Sequence, residues 1–290
     1  MTTSSPPTTE VTTSSLSAVG VATCPVPDAR PAGHSAHGLR ATARLTAAVE
    51  DGATCLPQLS GDGPFDLRRL RSRGGQARVC VVGAMSAPHN GDRLRIEIVV
   101  GPGADLEVIS AAATVALPGP VPGHATLDLV LSVADGGRLH WLPEPVISAD
   151  GSDLRQRIGV DLAPTARLLL GERQILGRAH EPTGRLTSRL TVRRDGRTIL
   201  DQETAYGPGA PGWDGPAVLA GHRATAQFLL IDPALDTEPA PARFLWDDPA
   251  DGHAVITPLP GTPARLLTAI APNAGTLHLA RLLHHLHPTP

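Results

Sequence analysis

The feature that most limits what this chain can fold into is a unit repeated three times through its middle: an alternating strand, a tight turn, a second strand. RLRIEIVV turns through Gly101–Ala104 into DLEVIS, TLDLVLSV through Ala134–Gly137 into RLHWL, and LRQRIGVDL through Ala163–Ala166 into RLLLGERQIL. The leucines that follow these turns, Leu106, Leu139 and Leu168, are spaced by 33 and then 29 residues. Alternating apolar and polar residues give a strand one buried and one solvated face. A single strand pair cannot bury its apolar face alone, so such units must stack or pair. RLTSRLTVR and TILDQET flank Arg194–Arg197, whose Asp195-Gly196 is a hairpin signature. Upstream, Ala41, Ala43, Leu45, Ala47 and Val49 alternate with polar residues before an Asp51-Gly52 turn, and ARVCVVG reads as a short apolar strand.

The expected fold class is therefore all-β, with stacked or layered β-sheets built from successive hairpins in a β-helix-like manner. A few short C-terminal α-helices are expected to close it. One follows Thr262-Pro263, an N-cap and first-turn proline ahead of ARLLTAI. Another covers Thr276 to Leu286, where Leu277, Leu279, Leu283 and Leu286 lie near one broad face. PGAPGWDGPAVLAG reads as loop. Residues 1–37, rich in Thr, Ser and Pro, lack the apolar content that would offset the entropy of ordering. They read as a disordered tail, leaving 38–290 as a single domain.

Composition removes several function classes. The net charge is -3 and aromatic residues are 2%, so neither a basic footprint nor a stacking platform for nucleic acid is present. All basic side chains other than histidine are arginine, which excludes Schiff-base chemistry and a P-loop lysine. The three cysteines, Cys24, Cys55 and Cys80, are far apart and odd in number, as expected of bystander thiols in a reducing compartment. No apolar run of about 18 residues and no secretory signal occur, so a cytoplasmic protein that does not enter the membrane is expected. GxSxG is absent, and GPGADL joins two strands and opens no helix, so it is a turn and not a cofactor loop.

Three carboxylates and a histidine cluster remain as candidates. Leu168, Leu170, Glu172, Gln174 and Leu176 share one face of their strand, so Glu172 points with leucines. A carboxylate there must be ion-paired, with Arg178 a candidate partner, or protonated, or must line a polar channel. Glu144 sits between two prolines in a rigid extended segment, and Asp150 opens an Asp-Gly turn. His278, His284, His285 and His287 crowd the C-terminus; His278 and His285 fall almost on one helix face, a candidate surface site for nickel, copper or zinc. Incidental histidines at a frayed helix end are the plainer reading.

Asn90-Gly91-Asp92-Arg93-Leu94 with its GPGA turn, Ala111-Ala112-Ala113-Thr114, Trp141-Leu142-Pro143-Glu144-Pro145, Asp150-Gly151, LAPTARLLLGERQILGR and GPGAPGWDGPAVL occur in that order. This ordered set resembles the urease accessory protein UreD (UreH) family, in its actinobacterial branch, over roughly Leu39 to Leu283. The resemblance implies a non-enzymatic maturation factor, or chaperone scaffold, on an all-β body. Such a factor works in a complex with UreF, and with UreG through UreF, on urease apoprotein, and assists incorporation of nickel into the urease active site. It also implies no stably bound cofactor, only Ni(II) in transit, with Thr114, Glu144, Asp150 and Glu172 as candidate lining of a nickel passage. The alternatives are a β-scaffold hydrolase, which would need an acid/base pair the sequence does not display, and a nickel-storage protein using the histidine-rich end.

Overall fold

The computed structural model describes Met1 and residues 38–286, apart from 236, 239, 249–251 and 278. The expected tail thus lies outside the described residues. Strands β1 (Arg40–Glu50) and β2 (Ala53–Ser60) pair antiparallel across Asp51-Gly52, both residues left-handed. Strands β3 (Phe65–Arg73) and β4 (Gln76–Gly83) pair likewise. The repeat follows: β5 (Arg93–Val100), β6 (Asp105–Ser110), the short β7 (Thr114–Ala116), β8 (Ala125–Val133), β9 (Arg138–Leu142), the short β10 (Val146–Ser148), β11 (Asp153–Leu162) and β12 (Arg167–Leu176). Strands β13 (Arg185–Arg194) and β14 (Arg197–Tyr206) form the hairpin that Asp195-Gly196 announced. Then come β15 (Ala224–Ile231), β16 (Arg243–Asp248), β17 (Gly252–Pro258), β18 (Ala264–Ala271), a 3-10 turn at Ala274–Leu277 and, among the described residues, one α-helix, α1 (Leu279–Leu286).

Two sheets result. The first runs β14-β13-β11-β8-β5-β1-β2, the second β16-β17-β18-β15-β12-β9-β6-β4-β3, with β10 joining β12 to β7. Strands β1, β5, β8, β11 and β13 are parallel neighbours, as are β4, β6, β9 and β12. The architecture is a stacked, solenoid-like β structure, as expected, with one difference in how the units are made. The turns at Gly101–Ala104, Ala134–Gly137 and Ala163–Ala166 are not hairpins. Each carries the chain from the first sheet to the second, so its two strands face each other across the core and pair with the neighbouring units. Alternation is the same in both arrangements; only the partner differs. The corners stack as the strands do: the Ala134 N–H donates to Val100 O and the Ala163 N–H to Val133 O, both at 2.9 Å. At one corner Gly136 takes φ 67°, a left-handed value open to glycine, and its N–H donates to Thr165 Oγ1 at 2.8 Å.

The core lies between the sheets. Leu106, Leu139 and Leu168, equally placed after successive turns, are in register on the second sheet and fully buried. Across from them Leu45, Ile98, Leu131, Val160 and Val192 form a register row on the first. A second cluster lies on the opposite face of the second sheet, where Phe228, Leu230, Leu267 and Leu169 meet Leu277, Leu282 and Leu286 from the C-terminal end. An eight-residue helix is marginal by itself, so α1 is held by this apolar contact.

The helix expected after Thr262-Pro263 is strand β18. It pairs with β15 on one side and β17 on the other, so sheet hydrogen bonding on both edges overrides a local capping signal. The 208–221 segment contains neither helix nor strand, as expected.

Candidate functional site

A polar layer interrupts the stacked core. On β11 the interior residues run Leu154, Gln156, Ile158; on β13 they run Leu186, Ser188, Leu190. On β12 Glu172 and Gln174 sit between Leu170 and Leu176. Register aligns these breaks: Gln156 pairs with Ser188 and Ser188 with Thr204 on the first sheet, Glu172 with Gln227 and Gln227 with Thr268 on the second. The two rows face one another across the interior. They divide the cluster containing Leu168, Leu170 and Leu190 from the one containing Leu154, Leu176 and Leu186.

Glu172 is the charged-capable group of this layer, and its carboxyl is buried. Its Oε1 accepts hydrogen bonds from Ser188 Oγ, from Gln174 Nε2 at 2.8 Å and from Gln156 Nε2 at 3.5 Å. All three donors are neutral. Burial therefore dominates and pushes the carboxyl above the usual range, while the bonds from Ser188 and Gln174 pull partly the other way. Burial also raises the Tyr206 phenol, with the Glu172 carboxylate adding to the effect. Two amide atoms of the layer, Gln156 Oε1 and Gln227 Nε2, are buried without a hydrogen-bond partner among the described residues. A layer in this state can hold water or accept a small polar guest.

Glu172 separates two cavities. One, of about 70 Å³, is lined by Thr114, Trp141, Glu144, Gln156, Glu172 and Arg173 among others. The other, of about 180 Å³, is lined by Glu172, Gln174, Thr204, Tyr206, Gln227 and Thr268 among others. A larger cleft of about 350 Å³ shares Phe65, Val81, Ser110, Thr114 and Leu127 with the first cavity. Cleft, small cavity, Glu172 and second cavity therefore follow one another through the fold.

Of the four carboxylate and hydroxyl candidates, the structure brings three together. Thr114, on β7, lines both the cleft and the small cavity. Glu144 lines the small cavity with its side chain half exposed, 3.3 Å from Arg173. Asp150 stands apart: it is exposed at the turn before Gly151, and its N–H donates to Glu181 Oε1 at 3.3 Å. Turn chemistry accounts for it. The expected pairing of Glu172 with Arg178 is also corrected. Arg178 binds Glu181, Nε to Oε1 at 2.8 Å and Nη2 to Oε2 at 2.9 Å, in the loop after β12. The Arg178 side chain and its backbone N–H hold the Glu181 carboxyl down at about 2. His278 lies outside the described residues; His285 sits on α1, its ring 5.8 Å from that of His284. Among the described residues no three His, Cys, Asp or Glu side chains group so that they could hold a metal ion.

Gln156, Ser188, Thr204, Thr225, Gln227 and Thr268 were not singled out from sequence. The signal was there in Leu-Ser-Leu at 186–190 and Leu-Gln-Ile at 154–158, where one polar residue takes an apolar position. Chemically the layer offers hydroxyl, amide and one carboxyl oxygen. These are hard ligands that hold a divalent cation weakly unless a second charge converges. Among the described residues no helix is long and apolar enough to cross a membrane.

Comparison with known proteins places the chain in context. A family model described as UreD urease accessory protein matches residues 39–286. The chain is similar to "Urease accessory protein UreD 2" of Saccharopolyspora erythraea, with 58% identity over 83% of this chain and 84% of the relative. It is 59% identical to "Urease accessory protein UreD 3" of Streptomyces griseus subsp. griseus, over 82% of this chain and 93% of that one. With "Urease accessory protein UreD" of Streptomyces avermitilis the identity is 53%, over 86% and 96%.

Proposed function

Because the chain belongs to the UreD urease accessory protein family, we propose that it is a non-catalytic cytoplasmic subunit of a urease maturation complex. In this reading it acts with UreF, and with UreG through UreF, on urease apoprotein. Nickel crosses it along the polar layer at Glu172 on the way to the urease active site. Nickel here is cargo, and the chain keeps no resident cofactor.

The observation that carries the reading is the position of Glu172. Among the described residues it is the one buried carboxyl of its layer, between two cavities and in a row of neutral amide and hydroxyl groups that crosses an otherwise apolar part of the core. A transit route needs ligands that replace part of the hydration shell without trapping the ion. One carboxylate among amides and hydroxyls suits that need; a cluster of imidazoles and thiolates would not. Thr114 and Glu144 flank the small cavity on the cleft side, and Tyr206 and Thr204 border the second cavity. Asp150 stays in the proposal only as a residue near the loop held by Glu181, without a place on the cavity wall.

The test is urease nickel content and activity in a host carrying the urease genes, with this gene deleted and then restored. Wild type is expected to restore both. Glu172→Gln is expected to reduce nickel loading by roughly tenfold or more, because an interaction with a charged group is worth about 1.5–3 kcal/mol. Wild-type nickel content with Glu172→Gln would overturn the passage. Wild-type nickel content without the gene would overturn the maturation role.

A further inference from the structure

We infer that the outward face of the first sheet is a docking surface for a carboxylate-rich face of a partner protein. The strands that bury Leu94, Ile96, Leu154 and Ile158 turn their alternate residues outward. Register sets those residues in rows across the sheet. One row runs Arg40, Arg93, Thr126, Arg155, Thr187 and contains no carboxylate. The next runs Thr42, Arg95, Asp128, Arg157, Arg189, Glu203, with two carboxylates in the row and with Arg95 and Arg189 ion-paired to Glu97 and Asp201 of the following row. One position before the first row, Asp153 pairs with Arg185.

Three features set this face apart from an ordinary solvated one. Arg40 and Arg93 are direct cross-strand neighbours of like charge, and the Arg93 guanidinium donates to the carbonyls of Gly91, Asp92 and His124, so Arg40 is the member of the pair left to meet a partner. Among the described residues the Arg40, Arg155, Arg157 and Arg185 guanidinium groups make no hydrogen bond or ion pair, and Arg40, Arg157 and Arg185 are exposed. His124, beside this end of the sheet, responds to the field: burial first, then the guanidinium charges of Arg155, Arg93 and Arg157, pull its imidazole below the usual range. The chain as a whole carries -3, so positive charge is gathered here against the overall sign.

The pattern favours a protein partner over a nucleic acid. Asp128, Asp153 and, further along the strands, Glu97 and Asp201 are interspersed with the arginines, and a continuous phosphate backbone would meet them. No aromatic side chain belongs to either row. Interspersed charges of both signs with an excess of arginine match an acidic protein surface, where guanidinium groups take carboxylates two oxygens at a time.

The experiment is fluorescence anisotropy of a labelled decaglutamate peptide titrated with the full chain at low salt, beside a labelled ten-base-pair DNA duplex. Salt-sensitive peptide binding is expected, weakened roughly tenfold in the double variant Arg155→Gln, Arg157→Gln. The double variant Arg68→Gln, Arg71→Gln removes the same charge from β3 and is expected to bind as wild type. An unchanged thermal midpoint in both variants confirms that folding is not the cause. Equal loss in the two double variants, no peptide binding, or tighter binding of the duplex than of the peptide would each overturn the inference.

Discussion

Leu139→Ala is expected to lower the unfolding free energy of the full chain by about 2–5 kcal/mol in urea titrations, with the slope unchanged. Leu139 is fully buried and sits in register between Leu106 and Leu168 on the second sheet. Its side chain points at the isoleucine, leucine and valine row of the first sheet, within one continuous cluster. Truncation removes the transfer energy of the lost carbons and leaves a void that parallel strands on both sides hold open, since neither can move without breaking register with the next. The control is Val99→Ala on the outward side of β5, where the valine is 46% exposed. That change is expected to stay within about 0.5 kcal/mol. If Leu139→Ala cost under about 1 kcal/mol, the stacked arrangement of these leucines would be wrong.

The same leucines show how far the fold could be read beforehand. Their spacing of 33 and then 29 residues marks one coil of chain, and the register confirms that equivalent positions stack. What spacing leaves open is which strand each one pairs with. A tight turn between alternating strands serves a hairpin and a sheet-to-sheet corner equally, because both leave alternate side chains inside. Asp195-Gly196 resolved correctly because its two left-handed residues suit a hairpin turn; Gly101–Ala104 contains Gly103 in that region and still forms a corner. Thr262-Pro263 failed for a different reason. A capping residue and a proline describe only the start of an element, and the two neighbouring strands decide that ARLLTAI is extended.

The site was legible in one strand and silent across strands. Alternation alone placed Glu172 with Leu168, Leu170 and Leu176, and the structure keeps it there. Beyond Gln174 of its own strand, its partners come from β11 and β13, one sheet away, so alternation marks Gln156 and Ser188 as polar residues on apolar faces but does not join them to Glu172. Arg178 looked close because it is near in sequence, yet it follows the strand's end at left-handed Gly177, and the loop gives it Glu181 instead. Thr114 and Glu144 reached the cavity through the resemblance. Asp150 came by the same route and stayed at its turn.

Glu172→Gln is expected to make the protein more stable relative to wild type as pH rises, although it removes the group proposed to pass nickel. Burial raises the Glu172 carboxyl above the value it has in the unfolded chain. Below the unfolded value, about 4.3, both states hold the proton and the buried group carries no charge penalty. As pH rises through the folded value, that advantage is lost, because the folded state must either keep a proton the unfolded chain has released or bury a charge. Each unit between the two values is worth about 1.4 kcal/mol. Glutamine keeps the acceptor oxygen for Ser188 and Gln174 and has no proton to lose. The gap in thermal midpoint between variant and wild type should therefore widen as pH rises from 4 to 8; a constant gap would show that burial does not raise this carboxyl. Glu181 gives the opposite sign in a separate window. Its carboxyl is held down at about 2, so its contribution is present above the unfolded value and is lost as pH falls towards 2. A Glu172→Gln protein that is better folded at pH 8 yet poorer at supporting nickel loading would separate the two roles, because loss of function could then not be a consequence of unfolding.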